Sequence, residues 1–454
     1  MNTSNFAAII LAAGKGTRMK SSTHKVLHKV GGKPMLEYLL DTVNQLNPAK
    51  NILVVGSGKE QLMAAVPDAS FVEQTEQLGT GHAARIAVDS LPDDFGGDII
   101  VLFGDVPFIP LTVMDAMIKK GGSEVGNGLT VLGFRPEDPA KYGRLVTNSS
   151  GKLERIVEFK DASDEERTIG LCNSGMMLIS GVHAKKWLHQ LSNDNAAGEY
   201  YLTDLVEFAR NDGLEVAVVE ASEDDVLGIN SREDLARAEM AMQKKWRKAA
   251  LDTGVTMTDP NTVYFSYDTK LGSDITIEPN VFFGPGAIIE DGVTIKANSH
   301  IEGAHVRSNS SIGPFARLRP AADIGEGSKI GNFVEIKKTK LHEGVKVSHL
   351  TYLGDAEVGA EANIGAGTIT CNYDGFLKYK TSIGAGAFIG SNSALVAPVT
   401  IGEGAIVGAG SIITKEVEKD SLAIARGRQR GISGFAANFR EEKAAEKAAQ
   451  KGKK

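Results

Sequence analysis

Between Leu271 and Ile413 an apolar residue returns every six positions, a beat that neither a helix of period about 3.6 nor an alternating strand can satisfy. The phase runs Leu271, Ile277, Phe283, Ile289, Ile295 and Ile301, shortens by one residue to Val306, and continues through Ile312, Leu318, Ile324, Ile330 and Ile336. It passes Leu341, Val347, Leu353, Val358 and Ile364, breaks near Asn372, and resumes at Ile383, Ile389, Leu395, Ile401, Val407 and Ile413. Such a hexad repeat is the pattern of a parallel β-helix, with three hexads to a triangular coil and each aliphatic side chain stacked inside on its equivalent one coil earlier. A glycine-rich flexible segment is the competing reading, and the phased Ile/Val/Leu column speaks against it. Glycine follows the aliphatic residue in Ile383-Gly384, Ile389-Gly390 and Ile401-Gly402, where it is expected to supply the positive φ of a tight corner.

The column occupies less than half of the 454 residues, which suffice for two or three domains with their own cores. A net charge of −7 argues against a general nucleic-acid binder, while local basic pockets for phosphorylated metabolites remain open. Two cysteines, Cys172 and Cys371, make neither a disulfide framework nor a metal motif, so a reducing cytoplasm is the default. The apolar run Phe6 to Ala13 has no Lys or Arg before it and reads as a buried strand ending at Gly14, not a signal peptide. No segment reads as a membrane span.

From residue 1 to 230 the texture alternates. Apolar runs at Ala7–Leu11, Ile52–Val55, Ile99–Phe103, Leu129–Leu132 and Val216–Val219 are separated by helical stretches such as Met35–Leu46 and Gly81–Ser90. This predicts an α/β domain with a mostly parallel, Rossmann-like sheet and ligands at the carboxyl ends of its strands. Ser231 followed by Asp234 reads as a capping box that opens a connecting helix over 231–251. The β-helix then spans 252–437, and 438–454 is a charged, Ala-rich tail, helical and frayed or disordered.

After the first strand comes Leu11-Ala12-Ala13-Gly14-Lys15-Gly16-Thr17-Arg18, with Lys25 beyond it. Its glycines let backbone amides approach a polyphosphate, and Arg18 and Lys25 can neutralise charge at phosphorus. The spacing is neither Gly-x-Gly-x-x-Gly nor a P-loop, which disfavours hydride transfer and P-loop chemistry. This stretch resembles the signature of sugar-1-phosphate nucleotidylyltransferases. The resemblance implies that Leu11, Ala12, Ala13 and Gly14 contact the nucleotide, and that Gln74, Gly79 and Thr80 read uracil. It also implies that Phe103-Gly104-Asp105 ends a strand at the phosphates, with Asp105 and Asn230 holding Mg²⁺, and that Gly143, Glu158 and Asn173 contact an N-acetylglucosamine group. Phe103 stands where relatives usually carry Tyr, so the hydroxyl is missing.

The hexad run resembles the left-handed hexapeptide β-helix family, which is dominated by trimeric acyltransferases. Taken together, the chain resembles the bacterial bifunctional enzymes that acetylate glucosamine-1-phosphate with acetyl-CoA and then transfer uridylyl from UTP to the product, giving UDP-N-acetylglucosamine. That resemblance implies phosphate binding by Arg319, Lys337 and Tyr352, which from the residues alone read equally as a solvated face. It implies that His349 is the general base, with Glu335 orienting its ring. Asn363, Ala366, Asn372, Tyr373 and Ser391 would contact sugar and acetyl group, Ser391 and an amide near Ala366 facing the thioester oxyanion. Ala409 and Arg426, the latter in a cluster with Arg428 and Arg430, would hold acetyl-CoA. Small-molecule substrates, Mg²⁺ and a homotrimer follow as further implications. A monofunctional nucleotidylyltransferase with a trimerising β-helix and a non-enzymatic solenoid scaffold are the alternatives.

Overall fold

The computed structural model describes residues 5–121, 126–139, 142–195 and 198–451. Of the tail expected at 438–454, residues 452–454 therefore lie outside the described residues. The chain divides into two compact units, one running to Ala249 and taking in Phe265–Asp268, the other comprising Ala250–Tyr264 and the chain from Thr269 onward.

The first unit is built on a sheet with strands β1 (Phe6–Leu11), β2 (Lys50–Val55), β3 (Ser70–Glu73), β4 (Asp98–Phe103), β5 (Asn127–Phe134), β6 (Arg144–Thr147), β7 (Leu153–Val157), β8 (Cys172–Ile179) and β9 (Glu215–Ala221). Their spatial order is β9-β5-β8-β4-β1-β2-β3, with β6 paired to β8 and β7. The neighbours β4, β1, β2 and β3 run parallel, as does β9 beside β5. Strand β8 lies antiparallel between β4 and β5, which makes the sheet mixed. Strand β1 is apolar at every position because both its faces are covered. Ala7 and Ile9 point into a core with Val101, Met177 and Trp187, and Phe6, Ala8 and Ile10 into another with Leu36, Leu39 and Leu102. Helix Met35–Gln45 buries Met35, Leu36, Leu39, Leu40 and Val43 on one stripe, each worth about 1.5–3 kcal/mol of transfer free energy.

Helix Arg232–Asp252 begins as its capping box predicts: the Ser231 hydroxyl accepts from the Asp234 amide at 3.1 Å, and the Asp234 carboxylate accepts from the Ser231 amide at 2.9 Å. Among the described residues no helix is long and apolar enough to cross a membrane.

The second unit is a parallel β-helix of two- to seven-residue strands on three faces. The hexad column is its interior. Ile277, Ile295, Ile312, Ile330, Val347, Ile364, Ile389 and Val407 stack on one face, each paired with the next. The glycines after the aliphatic residues are needed for a different reason than the one expected. Positive φ is found instead at Gly386, Asn392 and Gly404, two residues further on in each case. At Gly384, Gly390 and Gly402 a Cβ would lie 2.4 Å from the amide nitrogens of Glu403, Ala409 and Lys419 in the next coil, so stacking distance requires glycine there. The tail forms an exposed helix, Phe435–Lys451.

Candidate functional sites

The nucleotide-type site lies at the carboxyl ends of β1 and β4, where the chain leaves the sheet. Hydrogen bonds from the Gly104 amide to the Leu11 carbonyl, at 3.0 Å, and from the Ile229 amide to the Asp105 carbonyl, at 2.9 Å, bring three loops together. Gly16, with φ of 60°, is needed because a Cβ would meet the Lys25 Cβ at 2.6 Å. Lys25 can then lie across the loop, its ammonium 2.5 Å from Asp105 Oδ2 and 3.1 Å from Asn230 Oδ1. A cleft of about 310 Å³ opens here, bounded by Leu11 to Gly14, Lys25, Gln74, Gly79, Thr80, Phe103 and Asp105. Gln77 and Glu199 also line it and were not singled out from sequence. The Gln77 amide donates to the Ala13 carbonyl at 2.5 Å, tying the phosphate-type loop to the segment with Gln74. Buried Gln74 donates to the Gly79 carbonyl at 3.1 Å, which fixes the turn entering helix Thr80–Asp89.

Gly143, Glu158 and Asn173 form a second group. The Asn173 amide donates to the Gly143 carbonyl at 2.8 Å, and a Cβ on Gly143 would sit 3.2 Å from Glu158 Oε1. Burial, then the nearby Asp161, pushes the Glu158 carboxyl above its ordinary value. The two groups are linked through Gly175, whose missing side chain leaves room for the Phe103 ring. Arg18 is exposed on the short helix Thr17–Met19 and does not line the cleft.

In the β-helix, coil stacking sets polar residues side by side. Arg317 pairs with Glu335 and Glu335 with Tyr352, so Arg319 and Lys337 occupy equivalent positions on adjacent coils, about 4.8 Å apart along the ladder. Lys378, from the insertion that interrupts the hexads, completes the cluster and was not singled out from sequence. Lys378 first, then Arg319, holds the Lys337 ammonium below its ordinary value. The Tyr352 hydroxyl and the Asn372 amide converge over Gly354, where a Cβ would lie 2.3 Å from one and 2.9 Å from the other. Asn372 is buried and donates to Asp355 at 2.5 Å. Tyr373 is turned along the insertion, bonding the Gly375 carbonyl.

A separate row follows one corner of the coils. The Gly367 amide bonds the His349 carbonyl, the Asn392 amide the Ala366 carbonyl, and the Gly410 amide the Ser391 carbonyl. The Arg426 guanidinium closes the row on the Ala409 carbonyl at 2.5 Å. Asn363 belongs to the adjoining strand, Asn363–Ile364. The expected His349–Glu335 contact is not formed. Glu335 is engaged by Arg319 at 2.8 Å and Arg317 at 3.6 Å, while His349 Nδ1 lies 2.6 Å from Asn332 Oδ1. Register explains it: Asn332 is opposite His349, whereas Glu335 is opposite Tyr352 on the next face.

Comparison with known proteins agrees with this division. Residues 8–155 match the MobA-like NTP transferase domain, residues 274–313 the hexapeptide repeat of succinyl-transferase, and residues 380–415 the bacterial transferase hexapeptide. The bifunctional protein GlmU of Paramagnetospirillum magneticum is 51% identical over 448 residues, covering 99% of this chain and 99% of that one. The protein of the same name from Sphingopyxis alaskensis is 52% identical over 448 residues, covering 98% and 99%. With that identity sustained across both the sheet unit and the β-helix, the chain belongs to the bifunctional GlmU family.

Proposed function

We propose that the protein makes UDP-N-acetylglucosamine in two steps, acetyl transfer from acetyl-CoA to glucosamine-1-phosphate and uridylyl transfer from UTP to the product, releasing pyrophosphate. The observation that carries this reading is the pair of anion-seeking centres in one chain: Lys25 between Asp105 and Asn230 in the sheet unit, and Arg319, Lys337 and Lys378 in the β-helix. Residues 1–230 would carry uridylylation and 252–437 acetylation, joined by the helix over 231–251.

In the uridylyl site, Leu11 to Gly14 would cradle the nucleotide, Gln74, Gly79 and Thr80 read the base, and Gly143, Glu158 and Asn173 bind the sugar. Asp105 and Asn230 offer a carboxylate and an amide oxygen side by side, a hard donor set that fits Mg²⁺. The metal would supply charge neutralisation at the phosphates. Lys25, and Arg18 from the short helix Thr17–Met19, would neutralise the remaining phosphate charge.

In the acetyl site, Arg319, Lys337 and Tyr352 would grip the sugar phosphate. His349 would take the proton from the substrate ammonium, which frees the nitrogen to attack the thioester. Glu335 serves this site by fixing Arg319 and Arg317, not by touching the histidine. The corner row from Ala366 and Ser391 to Ala409 and Arg426 suits an elongated ligand such as acetyl-CoA, with Asn363, Asn372 and Tyr373 towards the sugar. A cytoplasmic homotrimer is part of the proposal. It is supported by an exposed apolar ladder beside His349, in which the rings of Phe315 and Phe333 stack at 5.2 Å and Leu350 follows.

A single assay with acetyl-CoA, glucosamine-1-phosphate, UTP and Mg²⁺ tests this, with thiol release and pyrophosphate release read separately. Pyrophosphate release from N-acetylglucosamine-1-phosphate without any thiol release from glucosamine-1-phosphate would leave only the monofunctional alternative.

A further inference from the structure

We propose that Asn332 is the positioning residue for acetyl transfer, fixing the tautomer and rotation of His349; this rests on the reading of His349 as the general base. The coils set the two side by side, since Asn332 is the register partner of His349 and the Leu350 amide donates to the Asn332 carbonyl at 3.0 Å. Each is followed by a bulky residue in the left-handed region, Phe333 with φ of 57° and Leu350 with φ of 49°. A non-glycine residue there is held by its surroundings against its own preference. The two corners are thus built alike, and the Asn332 side chain meets the imidazole at 2.6 Å.

The chemistry follows from which nitrogen is engaged. Asn332 Oδ1 can only accept, so Nδ1 carries the hydrogen and Nε2 is left with its lone pair outward, as a base requires. The acceptor is also neutral. A carboxylate in its place would stabilise the imidazolium and hold back the proton that the next turnover must release. The carboxylate nearest in sequence, Glu335, is withheld by its two arginines.

The test is kinetic. Asn332→Ala is expected to lower kcat for acetyl transfer by about tenfold or more while leaving KM for glucosamine-1-phosphate within about twofold, because a lost orientation reduces productive proton transfer and not sugar binding. Asn332→Asp, which can also accept from Nδ1, is expected to restore much of the rate and to move the acid limb of the kcat profile to higher pH. A structural role would not move that limb. Uridylylation of supplied N-acetylglucosamine-1-phosphate, measured on each variant, reports that the chain is folded. Parent-like acetyl transfer in Asn332→Ala, or a limb unmoved in Asn332→Asp, overturns the inference. His349→Ala separates the two ideas: if it is inactive while Asn332→Ala is parent-like, only the role of Asn332 falls, and if it is itself parent-like, the general base falls with it.

Discussion

At the scale of single residues, Lys25, Asp105 and Asn230 show how much a short motif can carry. Each lies in a separate stretch of sequence, and the fold brings them within hydrogen-bonding distance. Asp105→Ala is therefore expected to abolish pyrophosphate release and spare thiol release; parallel loss of both would mean that Asp105 is structural. Lys378 was invisible to motif reading because it sits in an insertion that belongs to no hexad. A bound phosphate dianion would relieve its crowding of Lys337, so Lys378→Met should raise KM for glucosamine-1-phosphate several-fold with a smaller change in kcat. Equal KM values would remove it from the phosphate site.

Two other residues record a cost of the same loop. His24 and His28 flank Lys25 and are buried. Both ring nitrogens of His24 lack a partner. Burial lowers both pKa values, helped by Lys25 and His28 around His24 and by Arg232 beside His28. The unfolded chain protonates these imidazoles near pH 6.5 and the folded chain only below that. Their contribution to stability is thus complete above that pH and lost as pH falls through it towards the depressed folded values. The melting temperature of the sheet unit should drop on acidification from about pH 7.5 to 5.5, and His24→Leu should flatten the dependence. An unaltered slope in that variant would assign the acid sensitivity elsewhere.

At the scale of elements, what was legible is what is periodic or buried on both faces. Strands β1, β2, β4, β5 and β9 were visible as apolar runs, and the helices over 35–45 and 80–89 as stripes. Strands β3, β6, β7 and β8 were not: Arg144, Glu154 and Arg155 interrupt the apolar signal, and Asn173 to Gly175 break that of β8 before its buried half. Their pairing is decided by tertiary partners. The connecting helix is a related case. Its cap was legible, but its packing was not. Its first turns complete a small core of Val30, Met35, Ile229 and Ala238. Gln243, buried at 2% exposure, donates to the Phe265 carbonyl at 2.6 Å and accepts from the Phe265 amide at 2.9 Å. A fragment ending at Asn230 loses Ala238 from that core and the Gln243–Phe265 bonds, so it should melt well below one ending at Asp268. Gln243→Ala, which removes both of these hydrogen bonds, should cost the longer fragment about 1–3 kcal/mol. Equal melting of the two fragments would mean the helix adds nothing to the sheet unit.

At the scale of the whole molecule, assembly is the property least written in the sequence, because a column of inward aliphatic residues says nothing about which outer face is covered. The exposed stack of Phe315, Phe333 and Leu350 supplies the missing hint. The sedimentation mass is expected to be that of a trimer, and Phe333→Glu should lower it together with acetyl transfer while uridylylation persists. A parent that sediments as a monomer at assay concentration would remove the trimer from the proposal.

The column of near-identical rungs has a further consequence. Ile277, Ile295, Ile312 and Ile330 are interchangeable as stacking partners, so a coil that closed on the wrong neighbour would still bury an isoleucine on an isoleucine. Repetition stabilises the solenoid and at the same time blurs its address. The irregular places restore it. The shortened steps at Val306, Leu341 and Val358 fall in one column and set off their coils from the regular hexads, and the insertion around Asn372 occurs once, with no counterpart on any other coil. They act as landmarks against slippage, and the residues proposed for catalysis cluster around the last three of them. A version of this β-helix regularised to unbroken hexads should fold into rods of mixed register: sturdier per coil, yet unable to guarantee that Asn332 meets His349.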